Sequence, residues 1–237
     1  MLYLIGLGLN EKGISLEGIE ACKKCEEVFL EGYTVDFPYN IKELKNVINK
    51  EIKILKREKV ESDEIVKLAG KKDIALLIYG SPLFATTHIS LVQMCIEKKV
   101  KHKVIHAGSI FEAIAETGLQ LYKFGKTTSL PKWSKKHKPT SFVDVIEENK
   151  RINAHTLVLV DIGLEFQEAL KQLEESDDGE IGLKEIVVCS NMGTEKAKII
   201  YGNVEKLKKK NVEKPFCFII PGEMHFLELE FLNNYRL

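Results

Sequence analysis

The sequence has no uninterrupted apolar run approaching the roughly 18 residues that cross a membrane as a helix. It also has no excess of either charge, because 35 basic residues balance 35 acidic ones. This balance argues against attraction of the whole chain to nucleic acid or to an anionic membrane. We therefore expect no membrane partner and no direct role in binding nucleic acid.

Several motifs of catalysis and metal binding are also missing. The six histidines show no H-E-x-x-H or other ligand spacing, and Cys22-x-x-Cys25 has no second pair at zinc spacing. No nucleophile can be assigned from spacing alone, so we predict no metal site and name no catalytic residue. Because the chain has five cysteines, they cannot all pair in disulfides, which favours reduced thiols and a cytoplasmic protein. The opening MLYLIGLGL has no basic n-region, and we interpret it as a strand.

Apolar runs and helical patterns alternate along the chain. The runs at 2–8, 73–79 and 103–107 predict buried strands, and Ser15 is placed to begin the first helix. Further strands are predicted at 155–162, 185–191, 198–202 and 216–222. His106 and His155 lie inside such apolar runs, and we interpret both as hydrogen-bonded core residues. Strands that alternate with helices predict an α/β fold with a parallel sheet.

A break in this alternation divides the chain. We predict two α/β domains, a Rossmann-like one at 1–110 and a second at 111–237, with a linking loop at about 124–142. Trp133 stands in this loop among four lysines, where it could stack on a base or clamp an acidic partner. A solvated loop is the preferred interpretation.

Glycines follow three of the predicted parallel strands, in GLGLNEKG, in GSPLF at 80–84 and in GSI at 108–110. Ligands of open parallel sheets bind outside the carboxyl ends of the strands, where glycine allows close approach to the backbone. The first motif is not the G-x-G-x-x-G of dinucleotide-binding folds, and α/β units commonly turn through glycine without binding anything. Both interpretations remain open from the residues alone.

The motifs MLYLIGLGL, GSPLFATTH, VIHAGSI, GLQLYKFGKTTSLP, HTLVLVDI and PGEMHFLELEFL follow in order along the sequence. Together they closely resemble the diphthine synthases, which are methyltransferases of the tetrapyrrole-methylase class. The resemblance implies two α/β domains, a mostly parallel first sheet and a mixed second sheet, with a cofactor cleft between them. It implies S-adenosylmethionine as cofactor, with S-adenosylhomocysteine as product, and a homodimer.

The same resemblance implies a protein substrate. This is translation elongation factor 2, on which the amine of a 3-amino-3-carboxypropyl-histidine is methylated to give diphthine in diphthamide biosynthesis. The cofactor positions of the family fall on Leu9, Ser81, Phe84, Ser109, Ile110, Val160, Met192 and Phe216.

One of these positions departs from the family pattern. Relatives usually have Gly-Asp-Pro where this chain has Gly80-Ser81-Pro82. A hydrogen bond to a carboxylate contributes roughly 1.5–3 kcal/mol, against about 0.5–1.5 for a neutral hydroxyl. A loss of about 1.4 kcal/mol would weaken cofactor binding about tenfold.

Two other functions remain as alternatives. The chain could be a cofactor-impaired adaptor that binds elongation factor or RNA, which the Gly-Ser-Pro departure favours and the intact PLFATTH and VIHAGSI segments oppose. It could also methylate a small tetrapyrrole, against which the close match in GLQLYKFGKT argues.

Overall fold

A computed structural model describes residues 1–177, 179 and 182–237. The chain divides into two compact units, Met1–Phe111 and Glu112–Leu237, each with its own five-stranded sheet. The segment 124–142, predicted to link the domains, instead lies inside the second unit. Its residues Thr128–Leu130 form a strand because they pair with the sheet of that unit.

The first unit has an all-parallel sheet with strand order β3-β2-β4-β1-β5. Its strands are β1 Leu2–Gly6, β2 Glu27–Glu31, β3 Ile52–Leu55, β4 Ile74–Ile78 and β5 His102–Ile105. Its helices are α1 Leu16–Lys24, α2 Ile41–Ile48, α3 Arg57–Val60, α4 Glu64–Ala69 and α5 Ile89–Glu97, and α6 Ile110–Ala113 spans the boundary between the units.

Both faces of this first sheet are buried. Ile5 and Leu77 belong to the apolar cluster on one face, whereas Leu4 and Leu76 belong to the cluster on the other. Strands buried on both faces have continuous rather than alternating apolar sequences, which explains the runs in β1 and β4. The predicted start of the first helix is confirmed, because Ser15 Oγ accepts a hydrogen bond of 3.1 Å from the backbone N–H of Gly18.

The second unit has a mixed sheet with strand order β6-β7-β10-β8-β9. Its strands are β6 Thr128–Leu130, β7 Thr156–Val160, β8 Glu185–Ser190, β9 Lys198–Asn203 and β10 Phe216–Ile220. Its helices are α7 Ser141–Arg151, α8 Phe166–Glu175, α9 Val204–Leu207 and α10 Phe226–Leu232. The central strand β10 is antiparallel to β7 and to β8, while β6 and β7 are parallel. The two sheet types expected from the resemblance are confirmed.

All five cysteines are free thiols in buried positions. Burial raises the pKa of Cys22 to about 12 and that of Cys25 to about 11. Cys189 and Cys217 lie opposite each other on β8 and β10. All five thiols fill space in the two cores, and the raised pKa values of Cys22 and Cys25 make these two poor nucleophiles.

Among the residues described, none of the helices combines the length and the apolarity that crossing a bilayer requires.

Glu31, the last residue of β2, is a fully buried acid in the first unit. Thr34 Oγ1 donates a hydrogen bond to its Oε1. Burial raises the pKa of the Glu31 carboxyl, and the hydrogen bonds from Thr34 and the nearby backbone only partly oppose this effect. The folded protein therefore binds a proton at Glu31 more tightly than the unfolded chain does.

We expect Glu31→Gln to gain stability relative to the wild type as the pH rises. The wild type should lose stability as the pH rises from the unfolded pKa of about 4.3 through the folded value, by about 1.4 kcal/mol for each unit between them. Glu27→Gln is a matched control on the same strand, because Lys53 and Lys72 lower the pKa of Glu27. That variant should lose stability relative to the wild type only while the pH rises toward the unfolded pKa of about 4.3, and above this pH its stability should run parallel to that of the wild type. Urea unfolding at several pH values measures the stability of both variants. Parallel curves of the free energy of unfolding against pH for Glu31→Gln and the wild type would contradict the prediction.

Candidate functional site

The loops that follow β4, β1 and β5 lie at one edge of the first sheet, because these three strands are adjacent and parallel. Gly8 and Gly80 exchange two backbone hydrogen bonds there, of 2.9 and 3.2 Å. Both residues have a φ of +68°, a conformation that glycine adopts without strain. A β-carbon on Gly6 would lie 2.7 Å from the carbonyl oxygen of Gly80. The glycines therefore allow the backbone after β1 to approach the backbone after β4.

Leu9 and Ser81 lie on these two loops. The carbonyl oxygen of Leu9 accepts a 3.1 Å hydrogen bond from the Tyr79 hydroxyl. Ser81 is buried, and its Oγ lies 3.5 Å from Nδ1 of His106. The apolar pattern predicted that His106 belongs to the core, and this prediction was wrong. Because β5 ends at Ile105, His106 stands exposed at the same edge as the glycine loops.

Phe84, Ser109 and Ile110 complete the predicted set in the first unit. The ring of Phe84 is 47% exposed and stacks on Phe111, with the centroids 5.0 Å apart and the planes inclined at 22°. Ser109 is buried, and its Oγ accepts a 3.2 Å hydrogen bond from the Phe111 N–H. Ile110 begins α6 and is half-buried. Apart from its chain neighbours, none of the described residues has an atom within 4 Å of the place that a β-carbon on Gly108 would occupy.

These five residues share one edge of the first sheet. The edge combines exposed aromatic surface at Phe84, open space at Gly108 and a buried hydroxyl at Ser81. Aromatic surface suits a heteroaromatic ring, and glycine backbone leaves room for a ligand. The arrangement can therefore hold a nucleoside-like group against the first unit.

Val160, Met192 and Phe216 share one end of the second sheet. Because β10 is antiparallel to β7 and β8, the start of β10 lies beside the carboxyl ends of those two strands. Val160 is half-buried at the end of β7, and Met192 lies buried just after β8. Phe216 is also buried and packs edge-on against Phe166, with centroids 5.5 Å apart. Phe216 thus has a packing role in this unit, and Val160 is the most accessible of the three.

A buried ionic network is the feature that sequence reasoning missed. Glu228, in the first turn of α10, is buried and receives hydrogen bonds from four groups. Lys123 Nζ lies 2.6 Å from its Oε2, and the N–H of His225 lies 2.7 Å from the same oxygen. The N–H of Gln120 and Nε2 of His155 lie 2.8 and 3.1 Å from its Oε1.

These bonds set the charge states of Glu228 and His155. Burial opposes ionisation of Glu228, but Lys123 and the other donors outweigh it and lower the pKa of the carboxyl to about 2. Burial likewise lowers the pKa of His155. His155 Nδ1 accepts a 2.9 Å hydrogen bond from the Gly222 N–H, so Nε2 carries the proton that is donated to Glu228. The prediction that His155 is a hydrogen-bonded core residue is confirmed.

The network joins three of the motifs that carry the family resemblance. Lys123 belongs to GLQLYKFGKT, His155 begins HTLVLVDI, and Glu228 belongs to PGEMHFLELEFL. The sequence contained a signal for Glu228 alone, since a glutamate at the third position of a helix can close a capping box, as Glu228 does with His225. Across the described residues, no group of three histidine, cysteine, aspartate or glutamate side chains could hold a metal ion.

The indole of Trp133 makes its contacts within its own loop. Its Nε1 donates a 3.0 Å hydrogen bond to the carbonyl of Pro139, and Lys138 lies over its ring at 4.7 Å from the centroid. Lys135 and Lys136 are exposed. The indole is therefore partly covered, whereas Lys135 and Lys136 face solvent.

Comparison with known families identifies the class of protein to which this fold and these strand-end loops belong. Residues 1–208 match the family model of the tetrapyrrole (corrin/porphyrin) methylases. The chain belongs to this family of methylases and is a methyltransferase.

Individual relatives define the group within the family. The chain is 37% identical to the diphthine methyl ester synthase of Schizosaccharomyces pombe, over 100% of this chain and 95% of the relative. It is 37% identical to the diphthine synthase of Methanococcus aeolicus, over 96% of this chain and 95% of the relative. A crystal structure of a diphthine synthase superposes with a TM-score of 0.91 at 31% identity, covering 99% of this chain and 95% of that chain. Within the tetrapyrrole methylases, this chain groups with the diphthine synthases.

Proposed function

We propose that this protein transfers methyl groups from S-adenosylmethionine to translation elongation factor 2. The acceptor is the amine of a 3-amino-3-carboxypropyl-histidine, and the product is diphthine, in the biosynthesis of diphthamide. The observation that carries the proposal is the 37% identity to a diphthine methyl ester synthase across the whole chain. The protein acts in the cytoplasm as a homodimer.

Residues of both units would hold the cofactor. In the first unit these are Leu9, Ser81, Phe84, Ser109 and Ile110, and in the second they are Val160, Met192 and Phe216. When bound, S-adenosylmethionine supplies an electrophilic methyl group on a sulfonium sulfur. The half-exposed ring of Phe84 offers an apolar face to the cofactor, and the open backbone at Gly108 leaves room for it.

The contribution of the protein to methyl transfer is chiefly positioning. Holding two reactants in line can supply on the order of 7–11 kcal/mol of the barrier in favourable cases. The acceptor amine must lose its proton before it can attack, so it needs a path to water or to a base. The acceptor also carries a carboxylate, to which the exposed lysines Lys135 and Lys136 are complementary in charge.

A two-part experiment tests this function. Calorimetry should detect binding of S-adenosylmethionine to the purified protein. Mass spectrometry should then detect added methyl groups on elongation factor 2 that carries the carboxypropyl group, and none on the unmodified factor. An absence of cofactor binding would favour the alternative of a cofactor-impaired adaptor. Cofactor binding without methylation of elongation factor 2 would refute the proposed acceptor.

We expect Ser81→Asp to bind S-adenosylmethionine about tenfold more tightly than the wild type. An aspartate at this position restores a charge-assisted hydrogen bond, which exceeds the hydroxyl bond by about 1.4 kcal/mol. Ser81→Asn is the matched control, because it adds similar bulk without charge and should give a smaller gain. Titration calorimetry measures all three proteins. Equal affinities for Ser81→Asp and the wild type would contradict a cofactor contact at this residue.

A further inference from the structure

His106 is an exposed histidine among the loops that carry the proposed cofactor residues of the first unit. It is the first residue after β5, and two of those residues, Ser109 and Ile110, follow it closely in the chain. It also contacts a third, because its Nδ1 lies 3.5 Å from Oγ of Ser81, in the loop after β4. Methyl transfer to an amine requires a proton acceptor, and imidazole is the side chain that most often serves in this way.

The contact with Ser81 involves only one ring nitrogen of His106. The other nitrogen, Nε2, makes no hydrogen bond to any residue that the structure describes. When the neutral ring carries its proton on Nδ1, it donates this proton to Ser81 Oγ, and Nε2 has a free lone pair. A hydroxyl can accept one hydrogen bond while it donates another, so Ser81 can hold His106 and still donate to the cofactor.

The loops after β1, β4 and β5 carry four other titratable side chains, and each is less suited to accept a proton. Glu11 is a carboxylate, a weaker base than imidazole, and Lys12 is a cation without a lone pair. The Tyr79 hydroxyl donates a hydrogen bond to a backbone carbonyl, and burial raises its pKa. His88 is buried, so a substrate does not reach it. His106 is therefore the accessible base of these loops.

We propose that Nε2 of His106 accepts the proton that the acceptor amine must lose, an inference that rests on the methyl transfer proposed above. The N–H bond of the substrate ammonium breaks as an N–H bond forms at Nε2. The amine nitrogen keeps the electron pair with which it attacks the methyl group. Because His106 is exposed, the imidazolium returns its proton to water before the next methylation. Ser81 is a positioning residue in this step, since its Oγ holds Nδ1.

Replacing His106 with glutamine tests the proton transfer. The variant keeps a polar side chain but loses the titratable nitrogen, and its turnover number at neutral pH should fall by about 10²–10⁴-fold, the usual contribution of a general base. Because the side chain is exposed, the variant should fold and bind S-adenosylmethionine with unchanged affinity, which calorimetry measures. His102→Gln is the matched control, because His102 begins the same strand at its opposite end. It should have the turnover number of the wild type.

The pH dependence distinguishes a proton acceptor from a residue that only shapes the site. The turnover number of the wild type should fall as the pH drops through the range of about 8 to 5, where imidazole gains a proton and can accept no other. His106→Gln should lack this step, and His102→Gln should keep it.

Nuclear magnetic resonance of labelled imidazoles gives a readout without turnover. The signal absent from His106→Gln identifies His106 among the six histidines. Addition of S-adenosylhomocysteine should shift this signal and leave that of His102 unchanged. Ser81→Asp should raise the midpoint of the His106 titration, because a nearby carboxylate favours the imidazolium. The uncharged Ser81→Asn should give a smaller change.

The outcomes separate this inference from the proposed function. Wild-type turnover in His106→Gln, or an unchanged pH dependence, would refute His106 as the proton acceptor while leaving the methyltransferase proposal standing. Loss of cofactor affinity in this variant would assign His106 to cofactor binding instead. An equal loss of turnover in His102→Gln would also overturn the assignment. A wild type that binds the cofactor but does not methylate elongation factor 2 would refute the proposed acceptor, and this inference with it.

Discussion

Replacing Glu228 with alanine should lower the free energy of unfolding by about 3–5 kcal/mol, the usual cost of breaking a buried ion pair from one side. The substitution removes the carboxylate that accepts hydrogen bonds from the Lys123 ammonium, the Nε2–H of His155 and the backbone N–H of Gln120. Glu230→Ala changes an exposed acid on the same helix and should alter stability by less than about 0.5 kcal/mol. Urea unfolding measures both variants.

The effect of Glu228 should also depend on pH. Because the folded pKa of about 2 lies below the unfolded value, ionised Glu228 stabilises the protein above the unfolded pKa. That stabilisation is lost as the pH falls from about 4.3 toward 2. The stability difference between the wild type and Glu228→Gln should therefore shrink on acidification. If this stability difference stays constant as the pH falls from about 4.3 toward 2, the charge of Glu228 does not contribute to stability.

Replacing Phe84 with alanine should weaken binding of S-adenosylmethionine about 5- to 150-fold. This range corresponds to the roughly 1–3 kcal/mol that stacking of a base on an aromatic side chain contributes. The Phe84 ring is half exposed and backed by Phe111, so its removal deletes contact surface at the edge of the sheet with little loss from the core. Titration calorimetry with S-adenosylmethionine and with S-adenosylhomocysteine measures the change.

Two further variants control for the Phe84 result. Phe84→Tyr keeps the aromatic face and should retain most of the affinity. Ile89→Ala removes an exposed apolar side chain a few residues further along, at the start of α5, and should bind as the wild type does. If Phe84→Ala binds the cofactor with wild-type affinity, the aromatic ring has no part in the site.

The local sequence predicted the central strands of both sheets. The runs in β1 and β4 are recognisable because both faces of these strands are buried. Edge strand β3 was missed because only Ile52 of its four residues is buried, which leaves too short an apolar pattern. Strand β6 was missed for a related reason: it has three residues and depends on pairing with β7 rather than on its own propensity.

The candidate site was predictable in part. Glycines at strand ends indicated the loops of the first unit, because a positive φ and close backbone approach restrict those positions to glycine. The choice of Val160, Met192 and Phe216 depended on family resemblance, since apolar side chains at strand ends are indistinguishable from core residues. The Lys123–Glu228–His155 network could not be predicted, because its members are up to 105 residues apart and meet only after folding.

Because every cysteine is buried, alkylation of its thiol can report unfolding of the unit that contains it. Cys22, Cys25 and Cys95 lie in the first unit, and Cys189 and Cys217 lie in the second. An alkylating reagent must reach the thiolate, so a buried thiol is modified only after the structure around it opens. Alkylation in mild urea followed by mass spectrometry would therefore show which unit unfolds first, without an introduced label.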